Sequence, residues 1–263
     1  MNFRSILTIT ASFFFLLMFD SKPLFAQPNR AEPMIRQTTF YTEQAPLTLG
    51  ELNRKYRDTF TMHGPRTRQV ALTFDDVPDP RFTPQILDIL SRYHIRGTFF
   101  VVGNRAHKHQ ALTTRIAREG HVVGNHSFSH PNFKKKTVNT FRTQILQTEN
   151  ELDSIIGYRP RLIRTPYGEI NEQQVRWARA RGYKVVNWNV DSMDWSGIGK
   201  EQVKHNILNN VGPGSIILMH AGGGVGSDLS GGIQALPEII MELKHRGYQL
   251  VTLPEMLKVQ QEK

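Results

Sequence analysis

The sequence predicts an α/β fold in which parallel strands alternate with helices. Seven short apolar segments with the character of buried strands lie between residues 69 and 253. Longer segments with helical apolar spacing separate them, and several end at a glycine, as helix C-termini often do. This alternation implies parallel strands covered by helices. An incomplete (β/α) barrel and an open doubly wound sheet both fit the order of the elements.

In either architecture the active site forms at the C-terminal ends of the strands. The predicted strands are 69–74 (QVALTF), 97–102 (GTFFVV), 121–125 (HVVGN), 161–165 (RLIRT), 183–188 (YKVVNW), 214–219 (GSIILM) and 248–253 (YQLVTL). The glycines that follow helical segments are Gly120, Gly157, Gly182 and Gly247.

The first 26 residues have the pattern of a secretory signal peptide. A basic start with Arg4 precedes an apolar run of 14 residues, and LFA ends the segment at Ala26. The run is shorter than the roughly 20 residues of a spanning helix, although an uncleaved membrane anchor is the alternative. We therefore expect a secreted or cell-envelope protein. Residues 27–65 are predicted to be a linker and N-terminal extension with one short helix in LTLGELNRKY, and residues 66–259 the main domain.

Composition narrows the class of protein and its partners. The absence of cysteine excludes disulfides, thiolate zinc sites and a cysteine nucleophile. The net charge of +10 suits an anionic partner such as a cell wall. Nucleic acid is disfavoured as a partner, because the chain has an export signal and its basic residues are scattered.

Ionisable side chains follow five of the seven predicted strands. Charged residues directly after a buried strand require an explanation, since a desolvated charge must be paired or bind metal. The residues concerned are Asp75, Asp76, His126, His130, Arg164, Asp191, Asp194 and His220.

Asp76, His126 and His130 form a candidate metal-binding set. Two histidines and one carboxylate hold zinc-like ions with positions left open. The two histidines are four residues apart and would lie on one side of a helical turn. Asp75 could take a proton from water if both aspartates turn toward one site at the frayed end of their strand. His220 could donate a proton to a leaving group.

The motifs TFDD, HSFSHP, RTPYG, DSMDW and LMH follow one another in the order and approximate spacing of the polysaccharide deacetylases. These are carbohydrate esterases that include chitin and peptidoglycan deacetylases. The resemblance covers about three quarters of the chain. It implies a distorted (β/α) barrel with about seven parallel strands, and it makes residues 66–259 the catalytic domain.

The resemblance also implies a role for each motif residue. Asp75 would be the general base, held in place by Arg164. Asp76, His126 and His130 would bind one divalent ion, with zinc as the default and cobalt or manganese as alternatives. His220, oriented by Asp194, would protonate the leaving amine. Substrate contacts would come from the Tyr167 backbone N–H at the oxyanion, from Trp195 at the sugar groove and from Leu218 at the acetyl methyl.

One departure from the family pattern affects the site. Val77 stands where a glycine usually follows the two aspartates. Because valine does not readily adopt a positive φ, either this position is extended or the pocket floor differs, which would change the size of substrate accepted.

The leading hypothesis is a metal-dependent hydrolase that removes N-acetyl groups from a cell-wall or chitin-like glycan, with peptidoglycan favoured. Two alternatives are a metal-dependent amidase acting on a non-sugar amide and a non-catalytic sugar-binding protein on the same fold.

Overall fold

The computed structural model describes residues 45–263. The predicted signal peptide, residues 1–26, and residues 27–44 of the predicted linker lie outside the described residues. The strands are β1 Phe60–Thr61, β2 Gln69–Val77, β3 Thr98–Val101, β4 Val122–Asn125, β5 Leu162–Ile163, β6 Lys184–Val186, β7 Val190–Asp191, β8 Ile216–His220 and β9 Gln249–Leu250. The α-helices are α1 Leu49–Lys55, α2 Thr83–Arg92, α3 Gly103–Lys108, α4 Gln110–Arg118, α5 Val138–Ile156, α6 Glu172–Ala180, α7 Lys200–Leu208, α8 Ser230–His245 and α9 Leu253–Leu257. Two 3₁₀ helices, Pro166–Gly168 and Asp194–Ser196, follow β5 and β7.

The strands form one parallel sheet in the order β1-β6-β5-β4-β3-β2-β8-β7, and β9 pairs with the start of β2. Each of the seven predicted segments overlaps one of these strands. The two further strands, β1 and β7, have only two residues each, which is too short for a readable apolar pattern.

The sheet must curl, because β6 and β7 are joined by only three residues, 187–189. Six steps separate these two strands in the sheet, which would place them about 29 Å apart if it were flat. The connection can span at most about 14 Å. The result is an incomplete barrel surrounded by helices, so the implied distorted barrel is confirmed and the open doubly wound sheet is excluded.

The described part of the N-terminal extension belongs to the same compact unit as the sheet. The predicted helix in LTLGELNRKY is α1, which begins with a capping box between Thr48 and Glu51 and buries Leu52. Strand β1 follows and pairs with β6. Residues 45–61 therefore cover and extend one edge of the barrel.

Helix ends follow the glycine signals in the sequence. Gly157 caps α5 with a left-handed backbone at φ 79°, and its N–H donates to the Asp153 carbonyl. Gly120, Gly182 and Gly247 also have positive φ, and each lies two residues after the last residue of its helix. Within residues 45–263, no helix combines the length and the apolar character needed to cross a membrane.

Candidate active site

Asp75 and Asp76 lie near the C-terminal end of β2, where the strand contains a bulge. The register with β3 shifts between Phe74 and Val77, and Asp76 has a left-handed backbone with φ 65°. A bulge re-aims side chains that regular alternation would send to opposite faces. Both carboxylates consequently line one cavity. The prediction that the strand frays at the two aspartates is therefore wrong, since β2 continues through the bulge to Val77.

Val77, at the position where the family usually has glycine, is extended. It lies in β2, pairs with Val101, and its side chain is buried in the hydrophobic core. The residue that takes the positive φ is Asp76, and aspartate tolerates that conformation better than most non-glycine residues. Valine therefore fits this position without strain.

His126 and His130 lie in a loop after β4, so the helical turn expected from their spacing is wrong. Ser127 and His130 have φ values of 67° and 58°, which no right-handed helix contains. The loop still turns the two imidazole rings toward each other, with ring centroids 5.0 Å apart.

Two polar side chains hold this loop in shape. Asn125 Oδ1 accepts the Ser127 N–H at 2.9 Å. Gln144 Oε1, from α5, accepts the N–H groups of Phe128 and Ser129 at 3.0 and 2.8 Å. Sequence reasoning missed Gln144, because nothing local relates a residue in α5 to a loop some fifteen residues earlier.

Asp76, His126 and His130 form a compact triangle. Asp76 Oδ1 lies 3.0 Å from His130 Nε2 and 3.6 Å from His126 Nε2, and the ligand atoms of all three residues lie within 4.8 Å of one another. This Asp76 oxygen is buried and has no regular hydrogen-bond partner among residues 45–263. An unsatisfied carboxylate oxygen facing two imidazole nitrogens fits a divalent metal ion.

The electrostatics of the triangle also suit a cation. Burial raises the pKa of Asp76, but the neighbouring His130 and His126 side chains outweigh it and hold that pKa well below its usual range. Burial lowers the pKa of His126, which favours the neutral ring. His126 Nδ1 lies 2.8 Å from the Arg164 carbonyl oxygen. Because a carbonyl only accepts, Nδ1 carries the proton and Nε2 presents its lone pair to the triangle.

Asp75 is held by a buried arginine. Arg164 is fully buried, and its Nη1 donates to Asp75 Oδ1 at 2.9 Å and to Thr73 Oγ1 at 2.7 Å. The second carboxylate oxygen, Oδ2, lies 3.8 Å from His126 Nε2. One face of Asp75 is therefore fixed by Arg164, while the other points toward the triangle of Asp76, His126 and His130.

His220 ends β8 directly opposite Asp75 in the sheet register. Its Nδ1 donates to Asp194 Oδ1 at 2.8 Å, and its backbone N–H donates to Asp194 Oδ2 at 2.9 Å. Burial lowers the pKa of His220, but the hydrogen bond and charge of Asp194 outweigh it and raise that pKa to about 9. His220 is therefore protonated near neutral pH.

These groups surround a cavity of about 580 Å³ at the C-terminal ends of the strands. Two exposed aromatic side chains stand on its wall, Tyr167 at 63% and Trp195 at 52% exposure, and Leu218 lies buried in its lining. Eight of the ten predicted site residues line the cavity; Arg164 and Asp194 lie behind it, bonded to Asp75 and His220.

Left-handed backbone conformations concentrate at this cavity. Seven non-glycine residues of the described chain have positive φ, and five of them are site residues or their neighbours. Those five are Asp76, Ser127, His130, Tyr167 and Met193. Such conformations persist only where the surrounding structure imposes them, which indicates a site built at some cost in stability.

A curled parallel sheet whose carboxyl edge gathers aspartates and histidines around one cavity is the architecture of a hydrolytic (β/α)-barrel enzyme. The polysaccharide deacetylase family profile matches residues 63–186. A peptidoglycan-N-acetylglucosamine deacetylase of Bacillus cereus is 45% identical over 210 residues, which cover 80% of this chain and 75% of that protein. The chain belongs to the polysaccharide deacetylase family and is an enzyme of that class.

Two further comparisons agree with this assignment. The peptidoglycan-N-acetylmuramic acid deacetylase PdaC of Bacillus subtilis is 38% identical over 199 residues, covering 76% of this chain and 41% of PdaC. A crystal structure of a peptidoglycan N-acetylglucosamine deacetylase in complex with 4-naphthalen-1-yl-N-oxidanyl-benzamide has a TM-score of 0.79 at 43% identity. That match covers 82% of this chain and 100% of the other.

The Asp194–His220 pair can be tested by NMR titration of the metal-free protein. We expect the His220 ring to titrate with a pKa of about 9 and the Asp194→Asn variant to titrate at lower pH. A pKa raised in the folded state stabilises the protein below the unfolded value of about 6.5, and that contribution is lost as the pH rises through about 9. His121 is an internal control, since burial lowers its pKa to about 4. An unchanged His220 pKa in Asp194→Asn would contradict this account.

Proposed function

We propose that this enzyme is a divalent-metal-dependent deacetylase that removes the acetyl group from N-acetylglucosamine residues of peptidoglycan. The observation that carries the proposal is the convergence of three groups of residues on one cavity. These are the Asp76–His126–His130 triangle, Asp75 with its buried arginine, and His220 with its buried aspartate.

Asp76, His126 and His130 would hold the ion, and zinc is the ion we propose, with cobalt or manganese as substitutes. When bound, such an ion supplies a Lewis acid that acidifies water and polarises an amide carbonyl. The Arg164 carbonyl accepts the Nδ1 proton of His126 and so keeps the His126 Nε2 lone pair free to bind the ion.

Asp75 acts as the general base and takes a proton from the attacking water. Its position supports this role, because Oδ1 is occupied by Arg164 and Oδ2 lies on the side of the triangle. Arg164 also holds the carboxylate in one orientation during the reaction. The backbone N–H of Tyr167 stabilises the negative charge that develops on the former carbonyl oxygen.

His220 acts as the general acid. As the C–N bond of the amide breaks, His220 gives a proton to the departing amine, which leaves as the free amino sugar while the acyl group leaves as acetate. Asp194 holds Nδ1, so Nε2 is the nitrogen available to the cavity. Acid–base assistance of this kind is typically worth about 10²–10⁴-fold in rate.

The cavity wall supports a sugar substrate. Exposed aromatic faces such as Tyr167 and Trp195 suit the apolar faces of sugar rings, and Leu218 suits the acetyl methyl group. We choose N-acetylglucosamine because the Bacillus cereus relative at 45% identity and the crystal structure at 43% identity are both named for that sugar. The net charge of +10 also suits an anionic cell wall.

The substrate proposal is tested by measuring acetate release from peptidoglycan, N-acetylglucosamine oligomers and small non-sugar amides, each with and without a chelator. We expect release from the first two, loss of activity with chelator, and recovery when zinc is returned. Release from the small amides alone would indicate a non-sugar amidase. Glycan binding without acetate release would indicate a sugar-binding protein, and activity that survives full metal removal would refute metal dependence.

The division of roles is tested by measuring metal content beside activity. Asp75→Asn and His220→Ala should each lower kcat about 10²-fold or more and retain the metal, whereas Asp76→Ala should lose it. Asp88→Asn, an exposed carboxylate on α2, is the control. The rate should fall at high pH as His220 loses its proton, and Asp194→Asn should move that fall to lower pH. A fully active Asp75→Asn, or metal loss in His220→Ala, would show that the roles are wrongly assigned.

We also propose that the protein is exported and that residues 1–26 are removed. N-terminal sequencing of protein recovered from the medium or the cell wall should begin near Gln27. Met1 retained on membrane-bound protein would favour the uncleaved anchor instead.

A further inference from the structure

Asp76 has backbone contacts that the proposed chemistry does not use. Its left-handed backbone places its carbonyl oxygen toward α3, where Arg105 Nη1 donates to it at 2.9 Å. Arg105 lines the cavity, and about a quarter of its side chain is exposed. Arg105 lies outside the five sequence motifs and was not predicted to be a site residue.

The other contacts of Arg105 explain why it does not serve as a cation for the substrate. Its Nη2 donates to the Gly223 carbonyl at 2.9 Å, and its charge faces Asp79 Oδ2 at 3.4 Å. The planar guanidinium therefore bridges two backbone carbonyls, one on β2 and one on the glycine segment 222–224 after β8, while Asp79 balances its charge.

The glycine segment approaches the Asp76 carbonyl beside Arg105, because a Cβ placed on Gly222 would also lie 2.8 Å from Arg105 Nη1. A Cβ placed on Gly222 would lie 1.9 Å from the Asp76 carbonyl oxygen, which is far inside van der Waals contact. Glycine is therefore needed at position 222 because the backbone of Asp76 passes so close to it.

We propose that Arg105, together with Gly222, forms a clamp that holds Asp76 in its left-handed conformation, which makes Arg105 a positioning residue for the metal-binding carboxylate. The inference rests on the proposed metal site. Without the clamp, the backbone of Asp76 is free to relax toward an ordinary strand conformation, which turns its carboxylate away from His126 and His130. Groups that orient metal ligands are typically worth about 10–100-fold in metal affinity.

Arg81 offers a matched control for Arg105. It donates to the same carboxylate, that of Asp79, at 2.7 Å and to the same Gly223 carbonyl at 3.1 Å. Within residues 45–263, Arg81 makes no hydrogen bond or ion pair with Asp76. Arg81→Met therefore loosens the glycine segment and uncovers Asp79, as Arg105→Met does, but leaves the Asp76 carbonyl bonded.

The experiment measures the zinc dissociation constant of the full-length protein by competition with a chromophoric chelator, with thermal unfolding recorded in parallel. We expect Arg105→Met to weaken zinc binding at least 10-fold and Arg81→Met to change it less than 3-fold, at similar melting temperatures. Equal effects in the two variants, or tight binding in Arg105→Met, would overturn the clamp. Wild-type protein that binds no zinc would overturn the proposed metal site and the clamp with it.

A second pair of variants tests the contribution of Gly222 to the clamp. Gly222→Ala should weaken zinc binding and alter the visible absorption of the cobalt-substituted protein, because the new methyl group displaces the Asp76 backbone. Gly224→Ala is the control, since a Cβ there meets only Ser227 Oγ at 3.8 Å. An unaltered cobalt spectrum and zinc affinity in a folded Gly222→Ala variant would contradict the proposal.

Discussion

The buried guanidinium of Arg164 is the constraint on which the catalytic end of the barrel depends. A buried charge is costly unless it is paired and fully hydrogen-bonded, and this one is satisfied by four groups. Besides Asp75 and Thr73, it donates to the carbonyl oxygens of Val186 and Asn187 at 2.9 and 3.2 Å. These partners lie on β2 and at the end of β6, so the side chain joins opposite parts of the curled sheet through its interior.

Arg164 also links the two chemical functions proposed for the site. Its side chain fixes Asp75, while its own carbonyl accepts the Nδ1 proton of His126. The Phe100 ring packs against the guanidinium at 4.3 Å, which leaves the arginine little freedom to move. A substitution of Arg164 would therefore disturb the proposed base, Asp75, and a proposed metal ligand, His126, together, although these two residues are far apart in the sequence.

Two other groups at the cavity, His220 and Asp76, are likewise held by a neighbouring residue. His220 has Asp194, and the Asp76 backbone has Arg105 and Gly222. Of the left-handed residues around the cavity, Asp76 is bonded through its carbonyl to Arg105, and Ser127 through its N–H to Asn125. Such an arrangement keeps the proposed metal ligands and the proposed acid–base groups in place before substrate arrives, and preorganisation of this kind supplies much of an enzyme's rate advantage.

The sequence by itself determined seven of the nine strands of residues 45–263 and predicted eight of the residues that line the cavity. Apolar runs that stop at Asp75, His126, Arg164 and His220 mark strand ends, and parallel strands bring those ends to one edge. Only the tertiary structure decided how the side chains meet. The bulge at Asp76, the left-handed loop from His126 to His130 and the contact of Arg105 with the Asp76 carbonyl depend on packing between segments distant in the chain. Local sequence patterns do not predict that packing, because secondary-structure propensity and apolar periodicity reflect only a few neighbouring residues.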